Sequence, residues 1–241
     1  MIIHDITRLT ALLAGLIGKR AGLPVFSFHC VETRMPHYGT EGLREMREII
    51  LASGSPRRRE LLETAGIPFV VKTGSTDEST DQKDPESVVR ELSRRKCLAA
   101  AGDGGDGIYL GADTVVACGN PCTILGKPSD EADAFRMISM LQGRGHQVWT
   151  GVTMAEKQNG EVIRSVTEAV KTDVKVVPMT ADEIRSYVAT KEPMDKAGAY
   201  GIQGLFSRYI EKIDGSYPNV VGLPVHIVYK ILRMWGIPGI G

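Results

Sequence analysis

Ile49-Ile50-Leu51-Ala52-Ser53-Gly54-Ser55-Pro56-Arg57-Arg58-Arg59 is an apolar run that breaks at a glycine between two serines and continues as a proline and three arginines. The run reads as a short strand, Ser55 as an N-cap and Pro56 as the first residue of a helix, where the missing proline N–H costs nothing. A strand that turns directly into a helix points to an α/β protein. It also aims unpaired backbone N–H groups and the positive end of the helix outward, beside the guanidinium groups. The segment from Ser53 to Arg59 is therefore a candidate phosphate cradle: Gly54 permits close approach, and the arginines grip phosphate oxygens through paired donors. The lysine and spacing of a G-x-x-x-x-G-K-[ST] loop are missing, so that machinery is not implied. Taken alone, a capped helix with exposed arginines is more often just a solvated helix start.

Outward from this point, the helix is expected to turn Leu61, Leu62 and Ala65 toward the core and to stop at Gly66, with Phe69–Val71 as the next strand. Asp84-Pro85 opens a second helix with Val88, Val89 and Leu92 as its stripe, running to about Ala101. Ile108–Ala117 reads as a buried strand, interrupted by Asp113. Asp130 and Asp133 start a helix bearing Phe135, Ile138 and Leu141. Then come Val148–Ala155, an Asn159-Gly160 turn, and an alternation of Val170, Thr172, Val174 and Val176 with Lys171, Asp173 and Lys175, a hairpin with one wet face. Thr180 and Glu183 make a capping box, Tyr209–Ile213 suits a strand, and Pro224 opens a final helix. Strands and helices alternate early and hairpins dominate later. The expected fold is an elongated α/β domain, a mixed β-sheet flanked by helices with a cleft between two lobes.

With 241 residues, 42% hydrophobic and 24% charged, the chain can bury a substantial core without staples. Its 29 basic and 29 acidic residues create no global field for a long polyanion, so duplex nucleic acid is not an expected partner, while a local basic pocket remains open. Cys30, Cys97, Cys118 and Cys122 lack zinc spacing and read as reduced bystanders, and His4, His29, His37, His146 and His226 form no metal pattern. No run approaches the roughly 18 apolar residues of a membrane span. Ile6–Ile17 is apolar, but no basic region precedes it and no clear cleavage site follows. Residues 1–47 are therefore read as a dispensable or disordered extension, and residues 48–241 as the folded domain.

Several side chains carry candidate chemistry. An unpaired carboxylate in the β-branched run at Asp113 would cost several kcal/mol, which suggests a purpose, although a turn cap or an arginine partner would also explain it. Lys96 follows Leu92 by one helical turn and Val89 by two, placing it on the apolar stripe; it either snorkels or faces a cleft, where it would meet phosphate. Lys127 in Gly126-Lys127-Pro128 is a solvated loop lysine or a second phosphate ligand. Glu78 is a surface acid or a partner of Asp113 in holding a divalent cation. The segment from Asp195 to Gly204 carries three glycines and one amide side chain, Gln203, and suits close approach to a flat ligand.

Together, LASGSPRRRELL (51–62), GADTVV (111–116), LGKP (125–128), KEPMDKAGAYGIQG (191–204) and IDGSYPNVVGLP (213–224) closely resemble the Maf family of nucleotide pyrophosphatases, over about residues 48–236. The resemblance implies a fold related to inosine triphosphate pyrophosphatases, a small nucleotide substrate, a divalent metal (Mg2+ or Mn2+), a homodimer and a cytoplasmic enzyme. It makes Asp113 the proton acceptor, Glu78 a metal-associated acid alongside Asp113, Lys96 and Lys127 the phosphate-binding lysines, and Ser53, Arg57 and Arg58 the phosphate loop. Thr114 and Gln203 match the family branch associated with dTTP and UTP. Arg57, Thr114 and Gln203 are then the expected specificity positions; an amide can offer a pyrimidine edge both donor and acceptor. The implied reaction splits the triphosphate into monophosphate and pyrophosphate. Two rival readings remain: a non-catalytic nucleotide-binding regulator of cell division or septum formation, and an enzyme aimed at modified or damaged bases.

Overall fold

In the computed structural model, which describes residues 49–74 and 76–237, the opening stretch becomes strand β1 (Ile49–Leu51) and helix α1 (Pro56–Thr64). β1 lies parallel both to a short edge strand, β2 (Val70–Val71), and to the twelve-residue β3 (Gly107–Cys118). The crossover to β3 is helix α2 (Pro85–Gly102), whose first turn is closed by the Asp84 carboxylate accepting from the Ser87 N–H. From β3 onward the sheet turns antiparallel. β3 pairs with β4 (Thr123–Leu125) and β5 (Gly145–Gln158), β5 with β6 (Glu161–Val176), and β6 with β7 (Ile210–Asp214). The resulting seven-stranded mixed sheet runs β2-β1-β3-β5-β6-β7, with β4 beside β3. Helices α3 (Glu131–Leu141), α4 (Ala181–Ala189), α5 (Tyr217–Val221) and α6 (Val225–Met234) complete the fold. The mixed, helix-flanked sheet is the architecture expected from the patterning.

Strand alternation decides which face each β3 residue serves. Ile108, Leu110 and Ala112 pack with Leu62, Val228, Ile231 and Leu232 beneath α1 and α6. Tyr109 packs with Cys97, and Val115 with Val88, Val89 and Leu92 of α2. Each such fully buried aliphatic side chain contributes about 1.5–3 kcal/mol. Asp113 thus belongs to the α2 face and Thr114 to the α1 face.

One irregularity of the sheet positions the cleft. β1 covers Ile108–Leu110 of β3 and β4 covers Val116–Cys118, while Gly111–Val115 have β5 on one side and, among the described residues, no strand on the other. Both faces of β3 are therefore reachable through that gap.

Local expectations failed in three places. Ser55 occupies the N-cap position of α1, but its side chain makes no capping bond, and instead Ser53 Oγ accepts from the Ser55 N–H at 3.3 Å. Ala65 is exposed, because α1 has already ended and only Leu62 is fully inside. Asp214–Asn219 is rich in turn-forming residues, yet residues 217–221 form α5, with the Ser216 hydroxyl accepting from the Asn219 N–H. The extension assigned to residues 1–47 lies outside the described residues.

Candidate functional site

The gap in β3 opens onto a cavity of about 610 Å³, lined by Ser53, Arg57, Arg58, Glu78, Lys96, Asp113, Thr114, Lys127 and Gln203. All nine side chains singled out from the sequence share this one hollow. Arg59, the third arginine of the run, is exposed and does not line it.

On the α2 face, Asp113 is buried and Lys96 reaches over from the last turns of the helix. Lys96 Nζ lies 2.6 Å from Asp113 Oδ1 and 2.7 Å from Glu78 Oε1, so one ammonium is shared by two carboxylates. The hydrogen bond from Lys96 holds the Glu78 carboxyl below the usual carboxylate range against partial desolvation; Lys127 and Arg58 act in the same sense from further away.

On the opposite face, the Arg58 guanidinium is fixed at three points. Nε donates to the Gly222 carbonyl at 2.8 Å, Nη1 to Ser53 Oγ at 2.9 Å and Nη2 to Thr114 Oγ1 at 3.3 Å. Burial lowers its pKa while the Asp113 carboxylate opposes the shift. An arginine has five donors, so one N–H on each terminal nitrogen remains for a ligand.

The third wall is the loop between Lys191 and Gly204. Asp195 bridges Arg57 Nη1 at 2.8 Å and Lys196 Nζ at 2.6 Å. Desolvation works to raise the Asp195 pKa, but the hydrogen bonds from Lys196 and Arg57 prevail and hold it at about 2. The Gly198 N–H donates to the Gly126 carbonyl at 3.0 Å, tying this loop to the turn that carries Lys127. Gln203 is exposed at the rim, with Nε2 3.4 Å from Glu60 Oε2.

Sequence reasoning missed the support behind these groups. Thr150 pairs with Thr114 across the β3–β5 ladder, and the fully buried Asn219 anchors α5 to the sheet. Asn219 Nδ2 donates to the Val148 carbonyl at 3.1 Å and to Thr172 Oγ1 at 2.9 Å. The available signal was a polar residue within an apolar run, the same signal that picked out Asp113.

Chemically, the cavity offers cationic groups for an anionic ligand and a carboxylate held on an ammonium, accessible through the strand gap. A family model described as Maf-like protein matches residues 48–235. Among curated relatives, the dTTP/UTP pyrophosphatase of Bacillus cereus (strain AH820) is 45% identical over 193 residues, spanning 80% of this chain and 97% of that protein. The dTTP/UTP pyrophosphatase of Agathobacter rectalis is 45% identical over 205 residues, spanning 80% of this chain and 99% of that protein. Among solved structures, the Staphylococcus aureus Ham1 protein aligns at 14% identity over 78% of this chain and 100% of that one, with a TM-score of 0.43.

Proposed function

The chain belongs to the family of Maf-like proteins, and from that premise we propose that it hydrolyses dTTP and UTP to the monophosphate and pyrophosphate. The observation that carries the reading is the convergence of Lys96 on Asp113 and Glu78 inside a cavity that also holds Arg57, Arg58 and Lys127. Curated relatives of near-full-length coverage bear that activity in their names.

Asp113 accepts the proton of a water attacking the α-phosphorus in line, a role worth roughly 10²–10⁴ in rate. Lys96 keeps Asp113 in place and sits where negative charge must be balanced. Arg57, Arg58, Ser53 and Lys127 seat the phosphates and stabilise the departing pyrophosphate. Thr114 and Gln203 face the rest of the nucleotide and favour a pyrimidine; closely related modified pyrimidine triphosphates fall within the same reading.

Two carboxylates meeting on one positive charge are a hard-oxygen donor set, and among the described residues no group of three or more His, Cys, Asp or Glu could enclose an ion by itself. That set fits Mg2+ or Mn2+, which Asp113 and Glu78 would hold. A cation there would supply neutralisation of the charge on the phosphates. A non-catalytic binder gains nothing from two acids beside a polyanion, since like charges repel.

The proposal extends to a homodimer working in the cytoplasm, with residues 1–47 outside the catalytic domain of residues 48–241. Among the described residues, no helix is long and apolar enough to cross a membrane. The test is a nucleotide panel with purified protein and Mg2+, scored by chromatography. dTMP and UMP with pyrophosphate, formed faster than purine monophosphates, are the expected products; a diphosphate product refutes the reaction.

A further inference from the structure

A chain of hydroxyl groups behind Thr114 has only one consistent direction. Thr150 Oγ1 lies 3.0 Å from the Asn219 carbonyl oxygen, and a carbonyl can only accept, so the single proton of Thr150 is committed there. That carbonyl is available because Asn219 lies near the end of the five-residue α5, where helix carbonyls lack intrahelical partners. Thr114 Oγ1 lies 3.0 Å from Thr150 Oγ1. With the Thr150 proton spent, Thr114 must be the donor in that contact. Arg58 Nη2, which can only donate, takes one of the two lone pairs on Thr114 Oγ1. What Thr114 retains toward the cavity is one lone pair and no proton.

We infer that Thr150 and Asn219 are positioning residues that fix Thr114 as an obligate hydrogen-bond acceptor, so that the site selects a ligand carrying an N–H or O–H donor at that point. The inference rests on the proposed nucleotide reading and adds the polarity of one contact. A phosphate oxygen or a base carbonyl cannot satisfy Thr114, because both are acceptors. dTTP has two donors that can, the imide N3–H and the sugar 3′-hydroxyl, and UTP adds the 2′-hydroxyl. Thr150 and Asn219 touch no ligand themselves. Thr150 is fully buried, and Asn219 is held by its side-chain bonds to Val148 and Thr172.

The experiment measures binding by calorimetry, with non-hydrolysable α,β-methylene forms of dTTP, N3-methyl-dTTP and 3′-deoxy-dTTP, and follows turnover of the parent nucleotides in parallel. Loss of the donor that Thr114 accepts weakens binding about tenfold, the worth of one neutral hydrogen bond with its desolvation. A penalty for N3 methylation alone assigns the imide, and a penalty for the missing 3′-hydroxyl alone assigns the sugar. Equal binding of all three overturns the inference. In Thr114→Val the penalty disappears; a penalty that persists there is steric and also overturns it. In Thr150→Val, which keeps the shape, the Thr114 proton is released and the discrimination shrinks several-fold, while Thr150→Ser restores it. A folded Thr150→Val protein with undiminished discrimination, whatever its thermal midpoint, contradicts the positioning role. Because binding is read without turnover, a chain that shows the predicted order but releases no pyrophosphate keeps the inference and refutes the proposed reaction.

Discussion

Asp113 stands directly opposite Gly151 across the β3–β5 ladder, and a Cβ at position 151 would lie 2.1 Å from the Val89 carbonyl oxygen of α2. The same helix presses on Gly111, where a Cβ would lie 2.5 Å from the Ser93 carbonyl and 2.6 Å from the Cys97 amide. These contacts are to backbone, so no side-chain rotation relieves them. Two glycines in buried strands thus set how closely α2 lies on the sheet, and that distance lets Lys96 reach Asp113.

Gly151→Ala is expected to push α2 outward. Stability falls by about 1–3 kcal/mol, the usual cost of overpacking. kcat falls by up to about 10²-fold, since ångström-scale misplacement at a reacting centre costs that much. Denaturant titration and steady-state kinetics on dTTP check both effects. An unchanged kcat would show that the helix position does not set the Lys96–Asp113 contact.

Lys96→Met removes the ammonium from both carboxylates. Glu78 then loses the partner that depresses its pKa, so the acid limb of the kcat/KM profile shifts toward higher pH, along with a fall in kcat. A pH–rate profile of the variant against the parent measures the direction. Movement toward lower pH would contradict the assignment.

His146 is buried, with Nε2 2.8 Å from the Tyr200 hydroxyl, and burial pulls its pKa down to about 4 despite the nearby Asp173. The folded value lies below the ordinary 6.5, so the unfolded chain binds a proton first as the solution is acidified. Stability is full above about pH 6.5 and declines as pH falls toward 4, by about 2–3 kcal/mol. Urea unfolding at pH 7.5 and pH 4.5 should show the loss, and His146→Gln should reduce it.

Lys157, nearly buried on β5, closes the C-terminal end of α2 by donating to the carbonyls of Ala101 at 2.7 Å and Gly104 at 2.8 Å. Lys157→Met leaves the Gly104 carbonyl without this donor, while the Ala101 carbonyl keeps the Gly104 N–H at 3.3 Å, and is expected to cost about 1–3 kcal/mol. Turnover of the folded variant at 25 °C should match the parent, because Lys157 is not among the residues that line the cleft. Thermal unfolding and kcat measured on the same preparation separate the two effects.

Much of the fold was legible because its signals are local. Pro56, Pro85 and Pro224 mark helix starts, the Thr180–Glu183 capping box forms as read, and Asp113 announces itself as an acid in an apolar strand. What escaped reading depends on residues far apart in sequence. The Thr114–Thr150 contact exists only through the β3–β5 register, and Arg57 meets Asp195 across 138 positions. α5 is so short and so rich in turn residues that its pattern reads as loop until the sheet beneath it is known. Gly111 and Gly151 were readable in principle, since a glycine inside a buried strand marks close backbone approach.

The central claim is that water activated by Asp113 attacks the α-phosphorus. Hydrolysis of dTTP in 18O-enriched water, followed by mass spectrometry of the products, tests it directly. The account predicts one 18O atom in dTMP and none in pyrophosphate, with label incorporation slowed by about 10²–10⁴-fold in Asp113→Asn. Label in the pyrophosphate, dTDP as the product, or undiminished turnover of Asp113→Asn would contradict it.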